Sequence, residues 1–408
     1  MIRRGTARRW QIAAGALTAL ALVTSACTGD DDGADDPTEA DGGDDGDTAA
    51  TGGDTATADT GGTADTGGDT GADTGDTGAT DDTVDVTQGG STLDAVMEAG
   101  EFRCGTRNEL PGFAVVDSAG DHVGFDADFC RVVAAAVLGD ANAVNFVDVE
   151  TADRFTALQS GEIDALIRNT TWTATRDGVE GATFLHTTFF DGQGMMVASD
   201  SGFASVSDMD GVIVCVAQGT TTEGNAAAEA ARLGLDWEVR AFESPDLIQE
   251  AFEAGQCDGW SSDVSQLTGL RSAYPGGADA LTILPEVFSK EPLGPAVRDG
   301  DSQWAQAVEW AVLATIQAEE FGISSENVDD FLESEDDAIR RFLGQPFGED
   351  QTVLDPGIGL PADFAYQVIS QVGNYAEIFE RHLTPLGLER GVNALWTDGG
   401  IQYVPPYR

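Results

Sequence analysis

Positive charge is the scarcest resource in this chain. Its 408 residues hold 20 basic and 72 acidic side chains, a formal net charge of −52. A field of that sign repels nucleic acid and anionic membrane surfaces, which excludes electrostatic binding to either. Histidine is almost missing: His122, His186 and His382 are scattered, and the cysteine spacings match no zinc motif, so neither a metal nor a cofactor is expected. Residues 28–90 contain no Lys, no Arg and no aromatic residue, being almost wholly Asp, Gly, Thr and Ala. Repeats such as Asp59-Thr-Gly-Gly-Thr-Ala-Asp-Thr-Gly-Gly cannot bury a core, and they have no EF-hand ligand pattern. A disordered acidic tether is expected there, with an r.m.s. reach of about 45 Å. Long apolar runs are lacking as well. The stretch Ile12 to Val23 is too short for a comfortable membrane span and no second one follows, so the folded part is expected to be soluble and to act as a monomer.

What is present begins with an export signal. Arg3, Arg4, Arg8 and Arg9 precede the apolar Ile12 to Val23, the layout of a secretory leader. Thr24-Ser25-Ala26-Cys27 resembles the end of a bacterial lipoprotein signal, which implies a lipidated Cys27, an extracytoplasmic location and membrane contact through the lipid anchor only. Thr24 departs from that pattern, which usually has an aliphatic residue there, and the paired arginines leave general-secretory and twin-arginine export both open. The expected segments are the signal over 1–27 and the linker over 28–90. The remaining cysteines, Cys104, Cys130, Cys215 and Cys257, are even in number in an exported chain, which favours disulfides. One bridge in each half, Cys104–Cys130 and Cys215–Cys257, is expected over cross-pairing or free thiols.

From Leu93 onward, helical and strand patterns alternate, the signature of an α/β fold. Phe102-Arg-Cys-Gly and Val144 to Val149 read as strands, and Asp126 to Leu138 as a helix with Phe129, Val132, Val133 and Val137 on one face. A helix–Gly–strand unit then occurs twice. Gly161 and Asp164 in the first copy match Gly255 and Asp258 in the second, which predicts two lobes of similar build. Each copy ends in polar residues at a strand terminus, where open α/β sheets bind ligands. The first, Ile163 to Ile167, runs into Asn169, Thr170, Thr171, Trp172, Thr173 and Arg176; the second runs into Ser261, Ser262 and Asp263. One lobe thus offers a cation and the other an anion, which is complementary to a zwitterion. The plainer alternative is a Thr-capped helix start with a solvated Arg. A third element, Gln218-Gly219-Thr220-Thr221-Thr222-Glu223, opens a helix after the buried strand Val212 to Ala217 and suits an anion, without the Gly-Lys pair of a phosphate loop.

Several motifs now resemble one family. Gly124-Phe-Asp-Ala-Asp-Phe-Cys130, Arg154-Phe-Thr-Ala-Leu-Gln-Ser-Gly161, Arg168-Asn-Thr-Thr-Trp-Thr173, Asp191-Gly-Gln-Gly194 and Gln218-Gly-Thr-Thr-Thr-Glu223 look like those of the polar amino-acid-binding proteins of ABC importers. Ser289 to Arg298, Gly373 to Arg381 and Arg390 to Trp396 are similar to C-terminal signatures of the general L-amino-acid-binding subgroup. The resemblance implies a two-lobe, periplasmic-binding-protein-like (type II) fold with hinge strands, closing on an L-amino acid and docking to ABC permease subunits. It divides the folded part into 91–198 and 294–355 for the first lobe, 199–293 for the second and 356–408 as an extension. Residue by residue, it implies that Arg176, Thr171 and Thr221 hold the α-carboxylate and Asp263 the α-ammonium. Asn169, Thr170, Gly219 and Thr220 contribute backbone or hydroxyl contacts, and Trp172 and Phe113 form walls or belong to the core. Glu109 stands where the subgroup usually has a small Gly, an exchange that points toward a basic ligand.

Three function classes are separable on sequence. A binding module needs only the groups just named. An enzyme of the prephenate-dehydratase kind on the same fold needs a general acid or base in the cleft, and no His falls in a cleft motif. A tethered sensor needs a separate receptor, since the chain holds no kinase-like region. The extension, with Phe364, Val368, Ile369 and Val372 on one helical face, is expected to pack on the lobes rather than to dock a permease.

Overall fold

The computed structural model describes residues 91–408. The secretory leader, Cys27 and the acidic linker lie outside the described residues.

Two five-stranded sheets share one plan. In the first the order is Val144–Asp148, Phe102–Thr106, Ala165–Leu166, Ala296–Arg298, Ala182–Phe184. In the second it is Glu238–Phe242, Ile213–Ala217, Gly259–Asp263, Gln193–Ala198, Leu281–Ile283. Each sheet pairs its first three strands in parallel and its last two antiparallel. The repeated unit explains the likeness locally. Gly161 (φ 75°) and Gly255 (φ 69°) end their helices in the left-handed region, where a side chain would be strained. The repeated aspartates then serve the same end: Asp164 accepts from the Arg103 amide at 2.8 Å and Asp258 from the Ile213 amide at 2.8 Å. Each carboxylate fixes the entry of the strand that bears a disulfide cysteine.

The largest core joins the first sheet to the helices Phe125–Leu138, Ser302–Glu320 and Phe364–Gln371. Phe364, Val368, Ile369 and Val372 are buried in it, so the extension packs on the first lobe as its apolar face predicts. The second sheet has two smaller apolar clusters of its own, around Trp260 on one face and Met195 on the other.

The chain passes between the lobes on Phe189–Asp191 and Glu291–Leu293, an antiparallel ribbon with Phe190 opposite Pro292. The expected boundary at 198/199 therefore moves. Gln193–Ala198 pairs with Gly259–Asp263 inside the second sheet, because its alternating Met195 and Val197 fill that lobe's core. The crossing falls at Asp191–Gly192.

Cys104 and Cys130 are bonded, with Cα atoms 6.0 Å apart, and so are Cys215 and Cys257, at 5.8 Å. One bridge lies within each lobe. In the chain-entropy account, closing loops of 26 and 42 residues contributes about 3 kcal/mol or more apiece. Replacing Cys215 and Cys257 together by Ala should lower the unfolding free energy by about 3 kcal/mol in denaturant titration. A midpoint equal to wild type contradicts a structural role for that bridge.

Candidate functional site

Both sheets point the ends of their central strands into one cleft. On the first-lobe side, Ala165–Leu166 leads to Asn169, which sits at φ 31°, an uncommon conformation for a residue with a side chain. Its amide donates to Asp126 Oδ2 at 2.8 Å and its Nδ2 to Gln266 Oε1 of the second lobe at 3.1 Å. The turn sends the chain into the short helix Ala174–Gly178, capped by Thr173, whose Oγ1 accepts from the Arg176 amide at 3.2 Å. The capping motif is real, yet the Arg is not solvated. Arg176 is only 8% exposed, and its Nη1 donates to the Thr171 carbonyl at 2.7 Å.

On the second-lobe side, the helix Thr221–Leu233 opens at the cleft. Its cap residue Thr220 turns its hydroxyl back to the Ala217 carbonyl at 2.6 Å and caps no amide. The first amides of that helix are left for an acceptor in the cleft. Thr221 Oγ1 donates to Glu291 Oε2 at 2.9 Å, and Asn225 Nδ2 to Glu291 Oε1 at 2.7 Å. Asp263 ends the strand Gly259–Asp263 and is buried. Among the described residues no donor hydrogen-bonds its carboxylate.

These elements line one shared cavity, small and closed down to about 40 Å3 of free volume. Arg176, Asp263, Thr171, Thr221, Asn169, Thr170 and Thr220 all line it. Three other expected residues do not. Phe113 is fully buried in the first lobe's core, its ring 5.9 Å from Phe125 and 5.6 Å from Phe189. Trp172 stacks on Phe184 with centroids 6.3 Å apart and leaves 43% of its surface to solvent. Gly219 spends its carbonyl on Arg154 Nη2, at 3.1 Å across the cleft.

Sequence reasoning passed over three further arginines. Arg107, Arg154 and Arg168 line the cavity beside Arg176, and all four are buried. Arg107 is neutralised by Glu109, Nη2 to Oε1 at 2.8 Å. Among the described residues Arg154, Arg168 and Arg176 pair with no carboxylate, and the Nε atoms of Arg154 and Arg168 have no partner at all. Burial, then the neighbouring Arg176 and Arg168 charges, push Arg154 down to about 8. Burial and Arg107 push Arg168 down to about 9. Opposite them the cavity is lined by the buried Asp263 of the second lobe, and the hinge strands carry two more carboxylates, the buried Glu291 and the half-buried Asp191. Burial lifts Asp191 to about 6 against the hydrogen bonds it receives from Ser265 and Gly192. Burial, then the charges of Asp191 and Glu291, raise Asp263 well above the usual carboxylate range. The cleft thus holds uncompensated positive charge on one wall and uncompensated negative charge on the other. Buried charges without partners are costly, so the arrangement is one that a bound ion of matching polarity completes.

A hinged pair of α/β lobes with a charge-divided cavity between them defines a small-solute-binding protein. Residues 102–325 match the bacterial extracellular solute-binding proteins, family 3, and the chain belongs to that family. It is 46% identical over 78% of its length to the general L-amino acid-binding periplasmic protein AapJ of Rhizobium johnstonii, covering 93% of that protein. It is 42% identical over 78% of its length, and 94% of the relative's, to the glutamate/glutamine/aspartate/asparagine-binding protein BztA of Rhodobacter capsulatus. Among solved structures it superimposes with a TM-score of 0.75 and 41% identity on a periplasmic binding protein from Brucella ovis with glutathione bound, covering 78% of this chain and 99% of that one. Family membership makes the chain an extracytoplasmic binding protein rather than an enzyme. No helix among the described residues is long and apolar enough to cross a membrane.

Proposed function

We propose that this chain captures L-amino acids, acidic ones foremost, between its lobes and delivers them to the permease of an ABC importer. The observation that carries this reading is the division of buried charge across the cleft. Arg176, with Thr171 and the opening of the helix at Thr221, receives the α-carboxylate; Asp263 receives the α-ammonium. Arg154 and Arg168 remain, and a ligand side chain bearing a second carboxylate is what their unpaired guanidinium groups best accommodate. Glu109 does not turn the site toward basic ligands, because its charge is taken up by Arg107 at 2.8 Å. The names of the relatives AapJ and BztA support the amino-acid class.

A γ-glutamyl peptide is a second reading with its own observation. Beside the cavity, next to Thr151 and Pro245, a further hollow bounded by Asp153, Gln218 and Ser244 offers room beyond a single amino acid. The related Brucella ovis structure holds glutathione. A binding screen that includes L-glutamate, L-glutamine and glutathione separates the two.

Arg176→Ala and Asp263→Asn should each weaken L-glutamate binding roughly thirty-fold to several thousand-fold, since truncation leaves the opposite charge buried and unpaired. The pH dependence follows from the raised Asp263 carboxyl. In the empty site a proton competes with the ammonium for that carboxylate, so affinity falls as pH drops through its raised titration range, and Asp263→Asn flattens the profile. Near-wild-type calorimetry for Arg176→Ala, or a wild-type affinity constant from pH 8 to pH 5, contradicts the clamp.

We further propose that Cys27 is lipidated, that residues 28–90 tether the binding unit to the membrane, and that the protein works as a monomer. A receptor partner in place of a permease is the alternative, and uptake measured after deletion distinguishes them. Cys27→Ala should release the protein from the membrane fraction or leave its leader uncleaved. An unchanged membrane fraction rules the anchor out.

A further inference from the structure

The C-terminal segment touches the hinge in a way that its apolar packing does not require. In the ribbon between the lobes, Phe190 stands opposite Pro292, which has no N–H to give. In antiparallel pairs the backbone groups of alternate residues face opposite edges, and those of Phe190 face outward, where a third strand would lie. The carboxamide of Asn393 occupies that place. Its Oδ1 accepts from the Phe190 amide at 2.7 Å and its Nδ2 donates to the Phe190 carbonyl at 3.1 Å. A carboxamide offers the same donor and acceptor as a peptide unit, so one side chain does the work of a strand.

Two more side chains from the segment hold the same stretch of backbone. Tyr375 Oη donates to the Thr188 carbonyl at 2.7 Å, and Gln402 Nε2 to the Thr187 carbonyl at 3.2 Å. Asn393, Gln402 and Tyr375 are all buried. Arg390 anchors the arrangement to the first lobe. Its Nη2 reaches both carboxylate oxygens of Glu319, at 3.0 and 3.1 Å, and its Nε donates to the Asn393 carbonyl at 3.2 Å. The guanidinium also lies over the ring of Tyr375 at 4.9 Å.

We infer that Asn393, held by Arg390, is a positioning residue for ligand binding: it fastens the outgoing hinge strand to the first lobe and confines lobe rotation to the residues after Phe190. Just beyond Phe190 the two crossings pass closely. At Gly192 a Cβ would come within 2.8 Å of the Ser289 carbonyl on the returning chain, so only glycine fits where the two crossings pass. The returning strand is held on its other edge by the binding segment itself, with the Trp172 amide on the Pro292 carbonyl at 2.8 Å. Pinning Phe190 therefore fixes the ribbon from which both Thr171 and the Glu291–Thr221 contact take their places. A strand freed at that edge spreads the rotation over more bonds, and the closed arrangement then holds its ligand less well.

The inference uses the amino-acid reading only for its second readout. Asn393→Ala removes both hydrogen bonds to Phe190. Hydrogen exchange across residues 186–193 should speed about ten-fold, and dissociation of L-glutamate about five- to ten-fold with little change in association, the scale of two lost hydrogen bonds. Phe364→Leu, which loosens the same extension far from the hinge, should lower the melting temperature and move neither rate. Arg390→Met leaves the carboxamide in place but unanchored and should shift both rates in the same direction, so it replaces Asn393→Ala if that variant does not fold. The inference is overturned if Asn393→Ala melts earlier with wild-type exchange at 186–193, or if Phe364→Leu changes that exchange equally. A wild-type protein that ignores L-glutamate defeats the acidic-ligand reading alone, and the exchange result still decides this one.

Discussion

The site depends on keeping opposite charges apart inside one cleft. Among the described residues Arg154, Arg168 and Arg176 face it from the first lobe without carboxylate partners, while Asp263 faces it from the second lobe and Asp191 and Glu291 stand on the hinge strands. Placed together, these groups would pair with each other and leave nothing for a ligand. Placed apart and buried, each set raises the free energy of the empty site, and a zwitterion lowers it by joining the two. Burial acts in the same sense on both sets: Arg154, Arg168 and Arg176 are pushed down, Asp191 and Asp263 up.

That separation needs a scaffold that holds two walls at a set distance and lets them part. The doubled sheet plan supplies the walls. Each lobe has its own disulfide, its own apolar core and a strand fixed by a recurring aspartate. The ribbon of Phe189–Asp191 and Glu291–Leu293 supplies the freedom. Among the described residues few hydrogen bonds cross the cleft itself; Asn169 and Arg107 both reach Gln266 and Arg154 reaches Gly219, contacts of single side chains that a small rotation breaks.

Much of this was legible in the residues. The repeated Gly and Asp foretold twin lobes, because a left-handed helix stop and a carboxylate on a strand amide are local devices that leave local marks. The charges of Arg176 and Asp263 stood at strand ends, where position alone gives them meaning. The other arginines were not legible. Arg154 looks like an ordinary first-turn residue and Arg168 like the end of a strand; only the tertiary fold brings them beside Arg176. Phe113 and Trp172 could not be assigned between wall and core from the sequence, since an aromatic near a binding motif fills a core or stacks on Phe184 as readily as it lines a cavity. The boundary near 198 failed because Gln193–Ala198 reads as one buried strand whichever lobe owns it, and pairing with Gly259–Asp263 is a long-range fact. The hold of Asn393 on Phe190 is likewise invisible in a sequence where the two stand far apart.

The most direct test leaves the protein unaltered and edits the ligand. Calorimetry would compare L-glutamate with N-acetyl-L-glutamate, which lacks the α-ammonium, and with 4-aminobutyrate, which lacks the α-carboxylate. Charge completion across the cleft predicts that each analogue binds at least about thirty-fold more weakly than L-glutamate, the loss expected when one buried charge is left unpaired. An analogue that binds within a few-fold of L-glutamate would show that one wall of the cleft does not read its end of the amino acid.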